Sequence, residues 1–404
     1  MRRSTAPLRE REFRLLFAGR TVSLVGTAIA PVALAFAVLD LTGSKTDLGL
    51  ILTAREVPVI VFLLVGGIWA DRLPRNRVMV GANVISGATQ VAAAALLITG
   101  NAEIWHLAAL ASVNGAAGAF FFPASSGIVP QTVPTPLLQQ ANALLALAIN
   151  SATIGGAAVA GFLVAAFGSG WAIAVDAGTF LLAAFLFALM RLPAIDAAGS
   201  QRFIHDLATG WREFRSRTWL WVIVLQFSFL LMSLGAFSVL GPAVADAELG
   251  GAKAWGAILT GQAAGLVFGG LLGLRFRPRR MLIAATLGIL ATPLPLVALG
   301  FPLALPAIVA IAFVAGMGSE IFGLLWQTTV QQEIPPDKLS RVYSYDALGS
   351  IALAPVGYAI AGPVADAIGV RATLWGAATI GITVTLAVLA VRDVQRLERR
   401  TAEA

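Results

Sequence analysis

The stretch that decides the fold is a short loop between two apolar runs, and it reads Gly67-Ile-Trp-Ala-Asp71-Arg72-Leu-Pro-Arg75-Asn-Arg77. The apolar stretches on either side, 48–70 and 78–98, are each close to the roughly 20 residues that a helix needs to cross a bilayer. A loop with one acid and three arginines resists transfer across the membrane. We therefore predict a hairpin of two membrane helices whose connecting loop lies in the cytoplasm.

Composition places the rest of the chain in the membrane as well. The 404 residues are 58% hydrophobic and 12% charged, with a mean hydropathy of +0.84. A soluble domain carries about 25% charged residues, so a set of soluble domains is excluded. Cysteine is absent and only two histidines occur. Disulfides and thiolate metal sites are therefore excluded, and we expect no cofactor and no metal site.

The positions of the positive charges match a membrane topology and not a nucleic-acid-binding surface. Twelve predicted spans put both termini on one side. Of the 28 Lys and Arg residues, 23 fall at the termini and in the loops of that side, and three fall in the loops opposite. Arg20 and Arg55 lie within spans. This asymmetry predicts cytoplasmic termini in a bacterial inner membrane, with the lipid bilayer as partner and no nucleic acid.

The spans divide into two halves. They are predicted at 13–41, 48–70, 78–98, 104–128, 138–167, 171–192, 219–245, 254–274, 281–299, 303–327, 342–367 and 370–391. We predict an N-terminal six-helix bundle at 1–192, a cytoplasmic linker at 193–218, and a C-terminal six-helix bundle with a basic tail at 219–404.

The linker is the one long polar segment. It carries apolar side chains at helical spacing, with arginines between them: Phe203, Leu207, Trp211 and Phe214. This pattern predicts an amphipathic helix that lies on the inner membrane surface.

The two halves repeat each other. Four residues of the first half recur 201 positions later: Pro134, Gly156, Gly161 and Gly168 reappear as Pro335, Gly357, Gly362 and Gly369. A shift of about half the chain predicts two bundles related by an axis along the membrane normal.

The pattern Gly-x-x-x-Asp-Arg-x-x-Arg-x-Arg at 67–77 resembles the loop signature of the major facilitator superfamily, between its second and third helices. Phe122-Pro-Ala-x-x-x-Ile-Val-Pro-Gln-x-Val-Pro and Gln331-x-x-Ile-Pro335 resemble the branch with the enterobactin exporter and macrolide-efflux proteins. The resemblance covers nearly the whole chain. It implies an all-α membrane protein of twelve transmembrane helices in two pseudo-symmetric six-helix bundles. It also implies a central cavity and proton-driven efflux of amphipathic molecules.

The resemblance also implies an inner gate at the signature loop. In that family the loop acid engages a loop arginine and the start of a helix in the opposite bundle, so we expect Asp71 and Arg75 to form a latch. A carboxylate facing a helix N-terminus gains about 0.3–1 kcal/mol. The other residues assigned to the gate are Arg72, Arg77 and Asp346.

Ionisable side chains inside the membrane are candidates for proton coupling, because their burial is costly. The main candidate is Glu320, in the middle of span 10, where burial disfavours the charged form of a carboxylate. Alternatively, Glu320 pairs with a membrane arginine and has only a structural role. The other candidates are Asp40, Arg20, Arg55, Glu56 and Asp176.

Polar and aromatic side chains in otherwise apolar spans are candidates for the substrate site. Each polar residue can instead be a hydrogen-bonding link between helices, and each aromatic can pack against lipid or the core. The candidates are Asn114, Asn150, Gln226, Phe322 and Trp326.

Together these features predict a secondary transporter that exports a hydrophobic or amphipathic small molecule in exchange for protons. We expect it to act as a monomer. The alternatives are an importer of a small organic solute on the same fold and a membrane sensor that does not transport. An enzyme is not expected, since no phosphate-binding glycine loop precedes a lysine and no Ser/His/Asp set is apparent.

Overall fold

The computed structural model describes residues 6–192, 211–212, 214–273, 275–301, 303–335 and 338–397, leaving out the side chains of 63–72, 126, 340 and 341. Helices account for all the regular structure within these ranges. They are α1 (Arg11–Thr42), α2 (Lys45–Arg72), α3 (Arg75–Ile98), α4 (Ile104–Gly127), α5 (Leu138–Phe167), α6 (Ser169–Ala188), α7 (Thr218–Val244), α8 (Ala252–Gly273), α9 (Met281–Ile289), α10 (Leu294–Leu299), α11 (Leu305–Glu333), α12 (Leu339–Ile351), α13 (Ala354–Ile368), α14 (Val370–Leu389) and α15 (Arg392–Arg396).

These helices confirm the predicted fold class. In the described part of the chain, eleven stretches are long and apolar enough to cross a membrane. These eleven stretches do not include α2. This helix is 28 residues long and contains the span predicted at 48–70. The helix bounds are therefore consistent with the predicted number of twelve crossings. The protein is a multi-pass helical membrane protein.

Two of the predicted spans are interrupted. The ninth is divided between α9 and α10 at 290–293, and the eleventh between α12 and α13 at 352–353. Prolines stand at both breaks, and Pro293, Pro295 and Pro355 each lack the N–H that would continue the helical ladder. At the second break the amide of Leu353 donates to the Ser228 hydroxyl at 3.3 Å. A polar group freed by the break is thus satisfied inside the protein, as a membrane interior requires.

The repeat seen in the sequence has matching geometry in the two halves. Gly168 joins α5 to α6 with φ +86°, and Gly369 joins α13 to α14 with φ +92°. Both values lie in the left-handed region that favours glycine. The related pair Gly156 and Gly357 also shares a role. Each lies where a methyl group would overlap a neighbouring helix, α1 for Gly156 and α7 for Gly357.

The chain folds into two compact units. Unit 1 comprises residues 1–200 with 250–257, and unit 2 comprises 201–249 with 258–404. Each unit has its own buried core. In unit 1 the core includes Phe13, Met79 and Phe187, and in unit 2 it includes Leu220, Leu282 and Val330. The predicted bundle bounds at 192 and 219 stay predictions.

The end of the linker packs on protein. Phe214 is 7% exposed and lies within the core of unit 2. Its ring centroid is 5.7 Å from that of Trp211 and 5.9 Å from that of Tyr345. Phe214 therefore does not face lipid. Residues 193–210 lie outside the described ranges, so the amphipathic surface helix stays a prediction.

Candidate substrate cavity and buried charge cluster

Unit 2 contains a cavity of about 350 Å³ next to both helix breaks. Thr292 in the first break and Ser350, just before the second, line it. The Thr292 hydroxyl is 2.8 Å from the Ser319 hydroxyl, which links the break to α11. Irregular backbone at membrane depth is tolerated where it lines a cavity or is buried in protein. Interrupted helices are also the usual pointer to a transporter's binding site.

Aromatic rings form one wall of this cavity. Phe227 and Phe322 stack with centroids 5.5 Å apart and planes 7° apart. Phe322 and Trp326 stack with centroids 6.3 Å apart and planes again 7° apart. The predicted candidates Phe322 and Trp326 thus belong to one nearly parallel row. Phe322 and Trp326 are 4% and 7% exposed, so the row forms part of the buried apolar wall of the cavity.

Asp346 lies at one end of this row. Its Oδ2 accepts a hydrogen bond from Trp326 Nε1 at 3.0 Å, and its Oδ1 accepts one from the Ser350 hydroxyl at 3.3 Å. The carboxylate is partly buried and lines the cavity. The structure thus places this predicted gate residue beside two predicted substrate residues. Its part in an inner gate stays a prediction.

A second polar group lies inside unit 1, around Asp176. This residue on α6 is fully buried. Its carboxylate accepts a short hydrogen bond from Gln90 Nε2 on α3 and lies 3.5 Å from the Thr179 hydroxyl. On α1, Gly26 leaves the room that the carboxylate occupies, since a methyl group there would overlap both Asp176 and Thr179. Groups from three helices, α1, α3 and α6, therefore surround this one carboxyl group.

A small cavity of about 50 Å³ adjoins this group. Arg55 and Asn114 line it together with Asp176 and Gln90. The Arg55 guanidinium attracts the Asp176 carboxylate electrostatically. Since a cavity holds a water molecule from about 10–15 Å³ upward, this one has room for a few waters. It is too small for a drug-sized ligand.

The remaining ionisable candidates lie apart from these two cavities. Glu320 packs at the interface of α11 with α8, where a methyl group on Gly269 would come 3.1 Å from the Glu320 Cβ. It is absent from the lining of the aromatic cavity. Arg20 and Glu56 are partly buried. Their parts in coupling stay predictions.

Two of the predicted substrate-site residues lie away from both cavities. Gln226 is 1% exposed and its Nε2 donates to the Thr385 hydroxyl at 3.2 Å, which links α7 to α14. Asn150 is exposed on α5. Neither lines the two cavities.

The signature loop is described in part. The side chain of Arg75 lies against α4, where a methyl group on Gly127 would overlap its guanidinium. Arg77 is exposed. The side chains of Asp71 and Arg72 lie outside the described set, so the latch stays a prediction.

Sequence reasoning missed several cavity residues. Phe227, Thr292 and Ser350 line the aromatic cavity but were not among the predicted candidates. The prolines at the two breaks were the available signal, because an interruption in a membrane helix predicts a cavity nearby. Phe227 carried no such signal, since a phenylalanine in a span packs in many surroundings.

A multi-pass helical architecture with an interior cavity between broken helices is typical of membrane transport proteins. The sequence model of the Major Facilitator Superfamily matches residues 16–350. The chain therefore belongs to this superfamily, as its signature loop predicted.

Several relatives are efflux proteins. Macrolide efflux protein A of Streptococcus pyogenes is 24% identical, over 96% of this chain and 97% of that protein. The multidrug efflux pump Tap of Mycolicibacterium fortuitum is 30% identical, over 89% and 90%. The enterobactin exporter EntS of Shigella boydii is 28% identical, over 94% and 92%. These are relatives of the branch that the sequence resembles.

Solved structures agree on the fold. The nucleoside transporter NupG superposes with a TM-score of 0.76 at 14% identity, over 95% of this chain and 99% of that one. A bacterial homologue of the human lysosomal transporter Spinster superposes with a TM-score of 0.71 at 15% identity, over 98% and 100%. At these identities the likeness concerns the fold alone.

Proposed function

We propose that the protein exports a hydrophobic or amphipathic small molecule from the cytoplasm by alternating access. The observation that carries this proposal is the cavity of unit 2, with its row of three aromatic rings between two broken helices. Apolar side chains such as Ile223, Leu230 and Ile289 make up much of the remaining lining. Ligand sites of this kind are mostly apolar with a few placed polar groups. The names of the efflux relatives support export.

We propose a bacterial inner membrane as the location, with both termini in the cytoplasm. The asymmetry of 23 against three Lys and Arg residues supports this orientation. It places the signature loop, the linker and the basic tail on the inner side. The bundles at 1–192 and 219–404 are the proposed moving parts, with Asp71 and Arg75 as the latch between states.

We propose that proton movement drives export, with Asp176 as the coupling residue. Its carboxyl group is fully buried, and its surroundings suit a change of charge. Gln90 and Arg55 stabilise the carboxylate, while burial favours the protonated acid. The adjoining cavity has room for water, which could carry the proton. Glu320 remains the second candidate, because it too lies within a membrane helix.

The test is accumulation of a panel of dyes, macrolides and siderophores in an efflux-deficient bacterium that expresses the protein. We expect lower accumulation of at least one compound, and we expect a protonophore to reverse the effect. An empty vector and the Asp71→Asn variant are the controls.

Two outcomes would contradict the proposal. Raised accumulation would indicate uptake and favour the alternative of an importer on the same fold, with Arg20 and Arg55 as the first residues to test. Unchanged accumulation across the panel, with the protein present in the membrane, would favour a role without transport.

A further inference from the structure

We propose that a groove between α8 and α11 binds an anionic phospholipid, with the headgroup at Arg277 and part of an acyl chain between the two helices. The groove is a cavity of about 340 Å³ at the C-terminal end of α8. Its described lining shares no residue with that of the aromatic cavity. This lipid site is thus separate from the proposed substrate site, and only its placement in the inner leaflet depends on the proposed orientation.

The loop after α8 repeats the signature loop of the first half without its acid. The first loop reads Gly-x-x-x-Asp-Arg at 67–72, whereas the second reads Gly-x-x-x-Leu-Arg at 270–275. The second loop carries four exposed arginines within six residues: Arg275, Arg277, Arg279 and Arg280. Among the described residues, none of the first three has an acidic partner. This loop therefore offers positive charge to an anion from outside the chain.

The groove beside this loop is apolar along α11, where Ile321, Leu324 and Leu325 line it. Gly270 and Gly273 of α8 line the opposite wall. They have no side chains, and a methyl group at Gly273 would overlap the Leu324 side chain. The glycines thus leave room between the two helices. A hydrocarbon chain would fill this room with van der Waals contacts.

The positive charge lies at one end of the groove. Arg277 and Thr328 line that end, and Arg277 is the one charged side chain in the described lining. The Glu320 carboxylate lies at the other end, where a methyl group on Gly270 would come 3.8 Å from its Oε1. Thr328 follows Glu320 by eight residues, which is about 12 Å along α11. A headgroup at Arg277 is therefore well separated from this acid.

Exposed apolar side chains on the last turns of α8 and in the loop continue the groove towards the bilayer: Phe268, Leu271, Leu272 and Phe276. Basic side chains beside a membrane helix attract anionic headgroups. A soluble anion would use the arginines and leave the apolar groove unfilled, and a neutral lipid would fill the groove and leave the arginines unused. An anionic phospholipid occupies both.

The experiment measures lipid binding to the purified, delipidated full-length protein in detergent. Native mass spectrometry counts the bound lipids during titration with phosphatidylglycerol or phosphatidylcholine of the same acyl chains. We expect the first phosphatidylglycerol to bind about tenfold more tightly than phosphatidylcholine, because the loop arginines attract its net negative headgroup.

Two variants test the two ends of the groove. The double variant Arg275→Gln/Arg277→Gln should weaken phosphatidylglycerol binding about tenfold or more and leave phosphatidylcholine binding unchanged. Arg212→Gln/Arg215→Gln is the matched control, since it removes two exposed arginines from the same unit outside the groove. Ile321→Trp, which fills the apolar end, should weaken the binding of both lipids.

Equal binding of the two lipids, or an equal loss in the matched control, would overturn the lipid site. A loss in the arginine variant with full binding by Ile321→Trp would indicate a simple anion site and contradict the acyl-chain groove. Thermal unfolding identifies variants that do not fold, and Arg277→Gln and Leu324→Phe then replace them with the same expectations. Lipid binding is measured without transport, so a failure here leaves the export proposal to its own test in cells.

Discussion

At the scale of single residues, the two acids beside the cavities differ in what they face. Asp176 is closed in by Gln90, Thr179 and the α1 backbone at Gly26, next to a cavity of about 50 Å³. Asp346 borders a cavity of about 350 Å³. Only the second has room for an organic ligand. This difference in space is why we propose Asp176 as the coupling residue and the larger cavity as the substrate site.

Substitution of the two coupling candidates should separate them. We expect Asp176→Asn to lose accumulation against a gradient while substrate binding and downhill exchange remain, because an amide cannot take up and release the proton. Glu320→Gln, at the α8 interface, should keep uphill transport. Transport into inverted membrane vesicles under an imposed pH gradient measures both. The opposite pattern would move the coupling site to Glu320.

The aromatic wall gives a prediction about affinity. We expect Phe322→Ala to reduce export of an amphipathic substrate about tenfold, because it removes the middle ring of the stacked row. Phe162→Ala is the matched control, since that ring is 56% exposed on the surface of α5. Concentration-dependent transport in vesicles provides the measurement. Equal effects of the two substitutions would contradict the cavity as the substrate site.

The latch is tested at the signature loop. Asp71→Asn should abolish transport while the protein stays folded in the membrane, because the amide lacks the charge that a loop arginine and a helix N-terminus attract. For the variant and the native protein, the transport rate is divided by the amount of folded protein extracted from the membrane. Normal transport by this variant would remove the latch from the mechanism.

At the scale of helices, glycines decide how closely neighbours approach. In unit 2, Gly316 on α11 lies against the Gln262 carbonyl of α8, and Gly357 on α13 lies against the Met232 carbonyl of α7. In unit 1, Gly115 on α4 lies in the same way against the backbone carbonyl of α2 at position 55. A side chain at any of these positions would overlap backbone. Small residues are the usual means of close packing between membrane helices.

This packing predicts a position-dependent effect of valine. We expect Gly357→Val to destabilise the protein by about 1–3 kcal/mol or more, because the carbonyl that it would overlap cannot move aside. Gly376→Val on α14 is the control, since no atom lies within 4 Å of a methyl group there. Thermal unfolding in detergent compares the two. Equal stability would contradict the close approach of α13 and α7.

At the scale of the whole molecule, charge and helix number together specify orientation. The loops on one side hold most of the Lys and Arg residues, and the described helices are consistent with an even number of crossings. An even number returns the chain to its starting side. Both termini are therefore proposed to be cytoplasmic.

The absence of cysteine makes this orientation directly testable. Single cysteines are introduced at Asn101, in a proposed outer loop, and at Arg279, in a proposed inner loop, both exposed. A membrane-impermeant maleimide should label the first in intact cells and the second only after permeabilisation. The native chain, which has no cysteine, is the unlabelled control. Labelling of Arg279→Cys in intact cells would reverse the proposed topology.

The sequence by itself determined the helical membrane class, most helix bounds, the repeated glycines and the superfamily. Span length, mean hydropathy and loop charge are properties of consecutive residues, so they can be read without knowing which helices touch. For this reason α5 was predicted at its observed bounds, 138–167.

Only the tertiary structure decided which side chains meet. Successive residues of a helix point about 100° apart, so small differences in helix rotation determine which partner a buried group finds. The pairings of Asp176 with Gln90 and of Asp346 with Trp326 join residues 86 and 20 positions apart. The position of the larger cavity likewise depends on two helix breaks that both border it. Span composition carries no information on these pairings, because they depend on the packing of separate helices.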